Sequence, residues 1–133
     1  MAMRRIAIDT NIYVGFKNKQ AAIIELFQNC DYIGMDITVI AELYAGFMLG
    51  DREKKNREEL ATFLNSPRVE ILPHDLATAE YYALIVKELK LKGKPIPTND
   101  IWVAATAMQH GLALFSADRH FESIKGLLLL GLD

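Results

Sequence analysis

Apolar residues along this chain fall into two alternating patterns: short uninterrupted runs, and longer stretches at helical spacing. Residues 4–8 form an isoleucine-rich run closed by Asp9-Thr10-Asn11, which predicts a strand buried on both faces. Residues 20–30 carry Ile23, Ile24, Leu26 and Phe27 at helical spacing, and a short strand is expected at 32–35. Residues 37–49 predict a helix that is apolar nearly all round and therefore internal. Residues 51–65 predict a helix of another kind, with a mixed-charge solvated face and with Leu60, Phe63 and Leu64 turned inward. Asn65-Ser66-Pro67 ends it, and Val69-Glu70-Ile71-Leu72 reads as a strand. Asp75 caps a long helix that runs through Leu91 and is closed by Gly93 and Pro95. Pro97-Thr98-Asn99-Asp100 opens the next helix, which ends at Gly111 after His110. Strands at 112–116 and 127–130 finish the chain. Strands that alternate with helices predict an α/β fold, a parallel sheet with helices on both faces.

The 133 residues suit one domain, and a composition half apolar and a quarter charged excludes a disordered chain. No apolar run approaches the ~18 residues of a membrane span, and Met1-Ala2-Met3-Arg4-Arg5 lacks the apolar core of a signal peptide. Cys30 is the single cysteine and has no partner for an internal disulfide, so a reducing cytoplasm is the expected location. The net charge of −2 lacks the basic excess of many nucleic-acid-binding domains. A cluster of carboxylates would itself pull that sum down, so the balance neither supports nor excludes an RNA or DNA substrate.

Such a cluster is present. Asp9 ends the first strand, Glu42 interrupts the apolar 37–49 helix, Asp100 lies in the first turn of a helix, and Asp118 follows the 112–116 strand. Carboxylates in apolar surroundings are costly unless paired, hydrogen-bonded or bound to a metal. Taken singly, Asp100 fits a helix first turn, and Asp9 and Asp118 fit turns or caps. In open parallel sheets, however, the ligand crevice lies beyond the carboxyl ends of the strands, where Asp9 and Asp118 must open. Asp100 starts a helix on that side, and Glu42 shares a helix face with Thr38. Repulsion among four such groups calls for a cation. Oxygen donors without thiolate or histidine partners suit Mg²⁺ or Mn²⁺, and His74, His110 and His120 show no zinc-ligand spacing. A divalent ion held in this way orients a phosphate, activates a water and stabilises a leaving oxygen.

At these residues the chain resembles the PIN-domain ribonucleases and, within them, the VapC-like toxins of type II toxin–antitoxin systems. The segments that carry the resemblance are Ile8-Asp9-Thr10-Asn11-Ile12-Tyr13, Thr38-Val39-Ile40-Ala41-Glu42-Leu43-Tyr44-Ala45-Gly46, Asn99-Asp100-Ile101-Trp102-Val103-Ala104-Ala105 and Phe115-Ser116-Ala117-Asp118-Arg119-His120-Phe121, in order along essentially the whole chain. The resemblance implies a three-layer α/β/α sandwich and an endoribonuclease dependent on Mg²⁺ or Mn²⁺. It also implies a homodimer, inhibited by a small antitoxin protein encoded by an adjacent gene. Asp9, Glu42, Asp100 and Asp118 would form the acidic metal site, with Thr10, Asn11, Asn99 and Ser116 beside them to order the acids or a metal-bound water.

Two alternatives stay open. One is a catalytically silent PIN-like domain that only binds RNA or a partner. The other is a haloacid-dehalogenase-like phosphatase, but that chemistry wants a second aspartate where Asn11 stands, and a late Asp-Asp pair that this chain lacks. Trp102, Tyr81 and Tyr82 are expected in the core or a dimer surface, His120 in a surface turn, and Lys87, Lys90, Lys92 and Lys94 as snorkelling surface lysines.

Overall fold

Ile6, Ala7 and Ile8 are buried in succession, and so are Ile33, Gly34 and Met35. Strands apolar on both faces need cover on both faces, which helical crossovers between parallel strands provide. In the computed structural model, which describes residues 4–131, the strands are β1 (Arg4–Ile8), β2 (Cys30–Asp36), β3 (Val69–Leu72), β4 (Ala113–Phe115) and β5 (Leu129–Leu130). They form one sheet in the order β3-β2-β1-β4-β5, with every neighbouring pair parallel. The helices are α1 (Thr10–Lys17), α2 (Ala21–Gln28), α3 (Ile37–Leu49), α4 (Glu53–Leu64), α5 (Leu76–Lys92) and α6 (Thr98–Gln109), with a short 3₁₀ helix at Arg119–Ser123. The arrangement is the expected three-layer α/β/α sandwich.

Between the layers, Ile6, Ile8, Ile33, Met35 and Leu114 are fully buried with Ile12, Ala104 and Ala105. Tyr13 and Phe16 of α1 pack on Phe63 of α4, with ring centroids 5.2 and 5.4 Å apart, and Phe16 also meets Phe27 of α2. Asp75 forms a reciprocal capping box with Thr78 at the start of α5, and Gly93 closes that helix at φ 65°, a left-handed turn that favours glycine. No helix among the described residues is long and apolar enough to cross a membrane.

Several boundaries differ from the sequence reading. Asp9-Thr10-Asn11 is not a closing turn: Asp9 is the N-cap of α1, a helix the sequence pattern hides. The segment Thr10–Lys17 mixes β-branched and aromatic residues with Gly15, all poor helix formers, and tertiary packing overrides that weak preference. The predicted helix at 20–30 is shorter (Ala21–Gln28), because Cys30 already belongs to β2, and β2 is longer than the 32–35 expected. The two last strands shrink to Ala113–Phe115 and Leu129–Leu130.

The largest departure is α3. It is not internal: Val39, Ile40 and Leu43 are buried, while Tyr44, Met48 (63% exposed) and Leu49 (90% exposed) face outward. Part of the exposed face is covered by Arg57 of α4, whose guanidinium lies 4.2 Å from the centroid of the Tyr44 ring.

Two helix-interior glycines make a matched test of this packing. A methyl group built on Gly15 would run into Ile23 Cδ1, whereas one on Gly46 of α3 meets nothing within 4 Å. Gly46→Ala is expected to raise the unfolding free energy by roughly 0.5–1 kcal/mol through helix propensity. Gly15→Ala is expected to gain less than Gly46→Ala, because the Ile23 side chain must swing aside within a packed interior. Urea titration of both variants measures the difference; a Gly15→Ala gain equal to that of Gly46→Ala would contradict the close α1–α2 approach.

Candidate active site

The parallel pairing of β1 with β4 places Ile8 beside Phe115, so the chain leaves both strands at neighbouring points. Asp9 follows β1 and Ser116 follows β4; Asp9 N–H donates to Phe115 O at 3.2 Å. The Asp9 side chain is 6% exposed. Its Oδ1 accepts from Thr10 N–H at 2.8 Å, as the cap of α1, and its Oδ2 accepts from Ser116 Oγ at 2.9 Å. Ser116 Oγ in turn accepts from the Asp118 backbone N–H at 2.9 Å, which ties the loop after β4 to the end of β1.

The remaining acids arrive from helices and that loop. Glu42, one turn into α3, accepts from Thr10 Oγ1 at 2.6 Å and from Asn99 Nδ2 at 3.4 Å. Asp100 is the third residue of α6, where the helix dipole favours a carboxylate. Asp118 caps the 3₁₀ helix, accepting from His120 N–H at 2.9 Å. Asp9, Thr10, Asn11, Glu42, Asn99, Asp100 and Asp118 all line one cleft of about 450 Å³, walled by Pro97 and Thr98. Ser116 lies buried beneath it. Thr38, although on the Glu42 helix, turns instead toward His74, 3.4 Å from its Nε2.

His120 is exposed on a surface turn, as expected, and that turn also borders the cleft. Its Nδ1 lies 3.1 Å from Asp118 Oδ1 and 3.4 Å from Asp100 Oδ2. The signal was its place two residues after Asp118, on a turn that the Asp118 cap winds back toward α6. Trp102 lies between His74 and Tyr82, at 4.5 and 4.1 Å between centroids, so it packs and does not face the cleft. Lys92 donates to Glu88 and to the Ser123 carbonyl at 2.9 and 3.0 Å.

The cleft is electrostatically loaded. Burial pushes the Asp9 carboxyl above its usual range, opposed by the Ser116 and Thr10 hydrogen bonds and reinforced by the charges of Glu42 and Asp118. Burial likewise raises Asp100, opposed by the His120 hydrogen bond and reinforced by Asp9 and Asp118. The donor set fits a hard divalent ion: carboxylate oxygens from four positions, with one imidazole at the rim. Ligand atoms of Asp100, Asp118 and His120 all lie within 4.8 Å of one another.

The sign of the pH dependence follows. A carboxyl whose pKa is higher folded than unfolded keeps its proton better in the folded protein, so stability falls as pH rises through and beyond the usual carboxylate range. In EDTA at neutral pH, Asp9→Asn and Asp100→Asn are expected to melt a few degrees above the parent. That gain should shrink as pH is lowered toward 4, where the parent carboxyls take up protons. Mn²⁺ should stabilise the parent more than either variant. Melting curves with and without EDTA measure this, and no gain for either variant would contradict the cost of burying these carboxylates beside like charges.

Residues 6–127 match the family model described as PIN domain. The chain is 33% identical over 128 residues to Ribonuclease VapC2 of Haemophilus influenzae, covering 94% of this chain and 96% of that one. Two solved structures share the fold across almost their full length. Against the DNA-bound VapBC from Salmonella typhimurium the TM-score is 0.87, with 28% identity and coverage of 97% and 98% of the two chains. Against VapBC2 from Rickettsia felis bound to a DNA fragment from its promoter it is 0.85, with 27% identity and coverage of 96% and 98%. Coverage of this extent, by the family model and by a relative at that identity, establishes that the chain belongs to the PIN-domain family and, within it, to the VapC group.

Proposed function

We propose that this protein is an endoribonuclease that hydrolyses RNA phosphodiester bonds, dependent on Mg²⁺ or Mn²⁺, and the toxin of a toxin–antitoxin pair. The observation that carries the reading is the convergence of Asp9, Glu42, Asp100 and Asp118 on one cleft, each supported by a neighbouring donor. Membership of the VapC group supports the choice of RNA, because the relative at 33% identity is a ribonuclease by name.

Electrostatics alone make a cation part of the proposal. An RNA phosphate is anionic, and a cleft lined by four carboxylates repels it until positive charge is supplied. A divalent ion bound there supplies that charge, together with acidification of a bound water. The chain's own residues do the holding. Asp9 is fixed at both oxygens by Thr10 and Ser116, so it cannot turn away from the cleft. Thr10 holds one oxygen of Glu42 closely, at 2.6 Å, and Asn99 reaches the other more loosely, at 3.4 Å. Asp118 is oriented by the His120 backbone and Asp100 by the His120 ring. Ionised carboxylates within the cleft are also the available proton acceptors for an attacking water.

The partners follow the same reading: RNA as substrate, a second copy of the chain, and a small antitoxin encoded by an adjacent gene, all in the cytoplasm. Exposed apolar residues support protein partners, with Met48 and Leu49 on α3 and Leu76 (86% exposed) and Leu91 (80% exposed) on α5. The similarity to VapBC structures supports the antitoxin.

Purified protein is expected to cleave single-stranded RNA in Mg²⁺ or Mn²⁺ and to stop in EDTA. Asp9→Asn and Asp118→Asn should each lower the rate by more than roughly a hundredfold, beyond what losing a ligand's outer support costs. Cleavage that survives both substitutions would overturn the site. Hydrolysis of p-nitrophenyl phosphate without RNA cleavage would favour a phosphatase, and RNA binding without cleavage a silent domain. Co-expression with a short adjacent reading frame should suppress the RNA cleavage.

A further inference from the structure

The chain buries another carboxylate more deeply than any in the cleft. Asp36, the last residue of β2, is 3% exposed and lines no part of the acidic cleft. Its Oδ2 accepts from Thr38 N–H at 3.0 Å, which caps α3. Its Oδ1 accepts from His74 Nε2 at 2.6 Å and from the Thr106 hydroxyl of α6. Thr106 is itself 1% exposed. The His74 ring stacks on Trp102 of α6, and Trp102 packs at a tilt against Tyr82 of α5.

This hub joins the two helices that deliver Glu42 and Asp100. Thr38 lies one turn before Glu42 on α3. Thr106 lies six residues after Asp100 on α6, about 9 Å along a helix axis. The direct bond between those helices at the cleft, Asn99 Nδ2 to Glu42 Oε2, is 3.4 Å long and too weak to set their spacing. The hub bonds are shorter, and the one from Thr106 is buried, where hydrogen bonds are strongest and least replaceable.

We propose that Asp36, with Thr106 and His74, is a positioning centre that fixes the separation of Glu42 from Asp100 and thereby the affinity of the cleft for its divalent ion. The inference rests on the metal-dependent reading of the cleft. Small hard ions demand tight coordination geometry, so a change in helix spacing weakens them before it unfolds the protein. Loss of the Thr106 hydroxyl leaves the buried Asp36 carboxylate one donor short, and α6 is no longer held to the start of α3.

The test compares Thr106→Val, which keeps the shape and removes the hydroxyl, with Thr106→Ser, which restores it. Ile23→Val, a buried change on α2 away from the hub, serves as the destabilised control. Mn²⁺ affinity is measured on each folded protein by calorimetry, well below its melting temperature, without RNA. Backbone amide shifts of Glu42 and Asp100 are recorded in metal-free protein. Thr106→Val is expected to weaken Mn²⁺ binding roughly tenfold, the lower range for groups that orient metal ligands. It should also displace the Glu42 and Asp100 amide signals, while Thr106→Ser and Ile23→Val do neither. Thr106→Val protein that binds Mn²⁺ like the parent, or amide shifts that stay in place, would overturn the positioning role and leave the proposed function standing. A parent that binds no Mn²⁺ would overturn the proposed function instead, and the metal-free amide shifts would then decide the spacing role alone.

Discussion

Four carboxylates facing one cleft repel one another, and most of what distinguishes this chain from a generic α/β domain answers that repulsion. Asp9 is the centre of the difficulty, being buried and surrounded by the charges of Glu42 and Asp118. The fold keeps it in place with one donor from the next residue, Thr10 at the start of α1, and one from Ser116 at the end of β4, 107 residues away. The same donors are shared onward, Thr10 to Glu42 through its hydroxyl and Ser116 to the Asp118 backbone through its oxygen. Each acid is therefore restrained by a group that also restrains a neighbouring acid. Such a network holds the geometry against its own repulsion, and leaves a charge that a bound divalent ion would neutralise.

The sheet makes this possible. Parallel strands all end on one side, so residues that follow β1 and β4 emerge together in register. The first turns of α1 and α6 open on the same side and offer backbone N–H groups and positive helix ends where the acids accumulate. Topology thus delivers three of the four acids, Asp9 and Asp118 after strands and Asp100 at a helix start, while Glu42 reaches the cleft from the interior of α3. Supporting groups stand close to the acids in sequence, Thr10 beside Asp9, Asn99 beside Asp100 and Ser116 two residues before Asp118.

How legible this was in the sequence varied with the kind of signal. Buried parallel strands announced themselves, because Ile6-Ala7-Ile8 and Ile33-Gly34-Met35 leave no polar face. Long helices with strong ends, such as α5 between Asp75 and Gly93, did so through capping chemistry. Helix α1 was hidden because its residues favour strands and its Gly15 disfavours helix, and only the contact with Ile23 explains the glycine. Helix α3 misled in the opposite direction. An apolar helix reads as internal, but apolar residues such as Met48 and Leu49 can also face a partner, and one chain's sequence does not separate the two. His120 was undervalued because its role depends on how the Asp118 cap bends the chain, a tertiary outcome with no periodicity.

Asp36 carries the sharper lesson about buried charge. It ends a strand as Asp9 does and is buried more deeply, so an argument from burial cost alone would rank it first among candidate catalytic groups. The difference lies in its surroundings. Asp36 has donors at both oxygens from Thr38, His74 and Thr106, and lies outside the cleft where the other acids meet. Asp9 has Thr10 and Ser116, and acids on two sides. A carboxylate with its lone pairs taken, set apart from the acidic cleft, serves to hold elements together. One with lone pairs facing a cleft shared with other acids is left with a charge the protein does not cancel. Counting donors against neighbouring charges separates the two roles where exposure cannot, and it predicts where in a PIN-like fold a buried acid belongs to the scaffold and where it belongs to the chemistry.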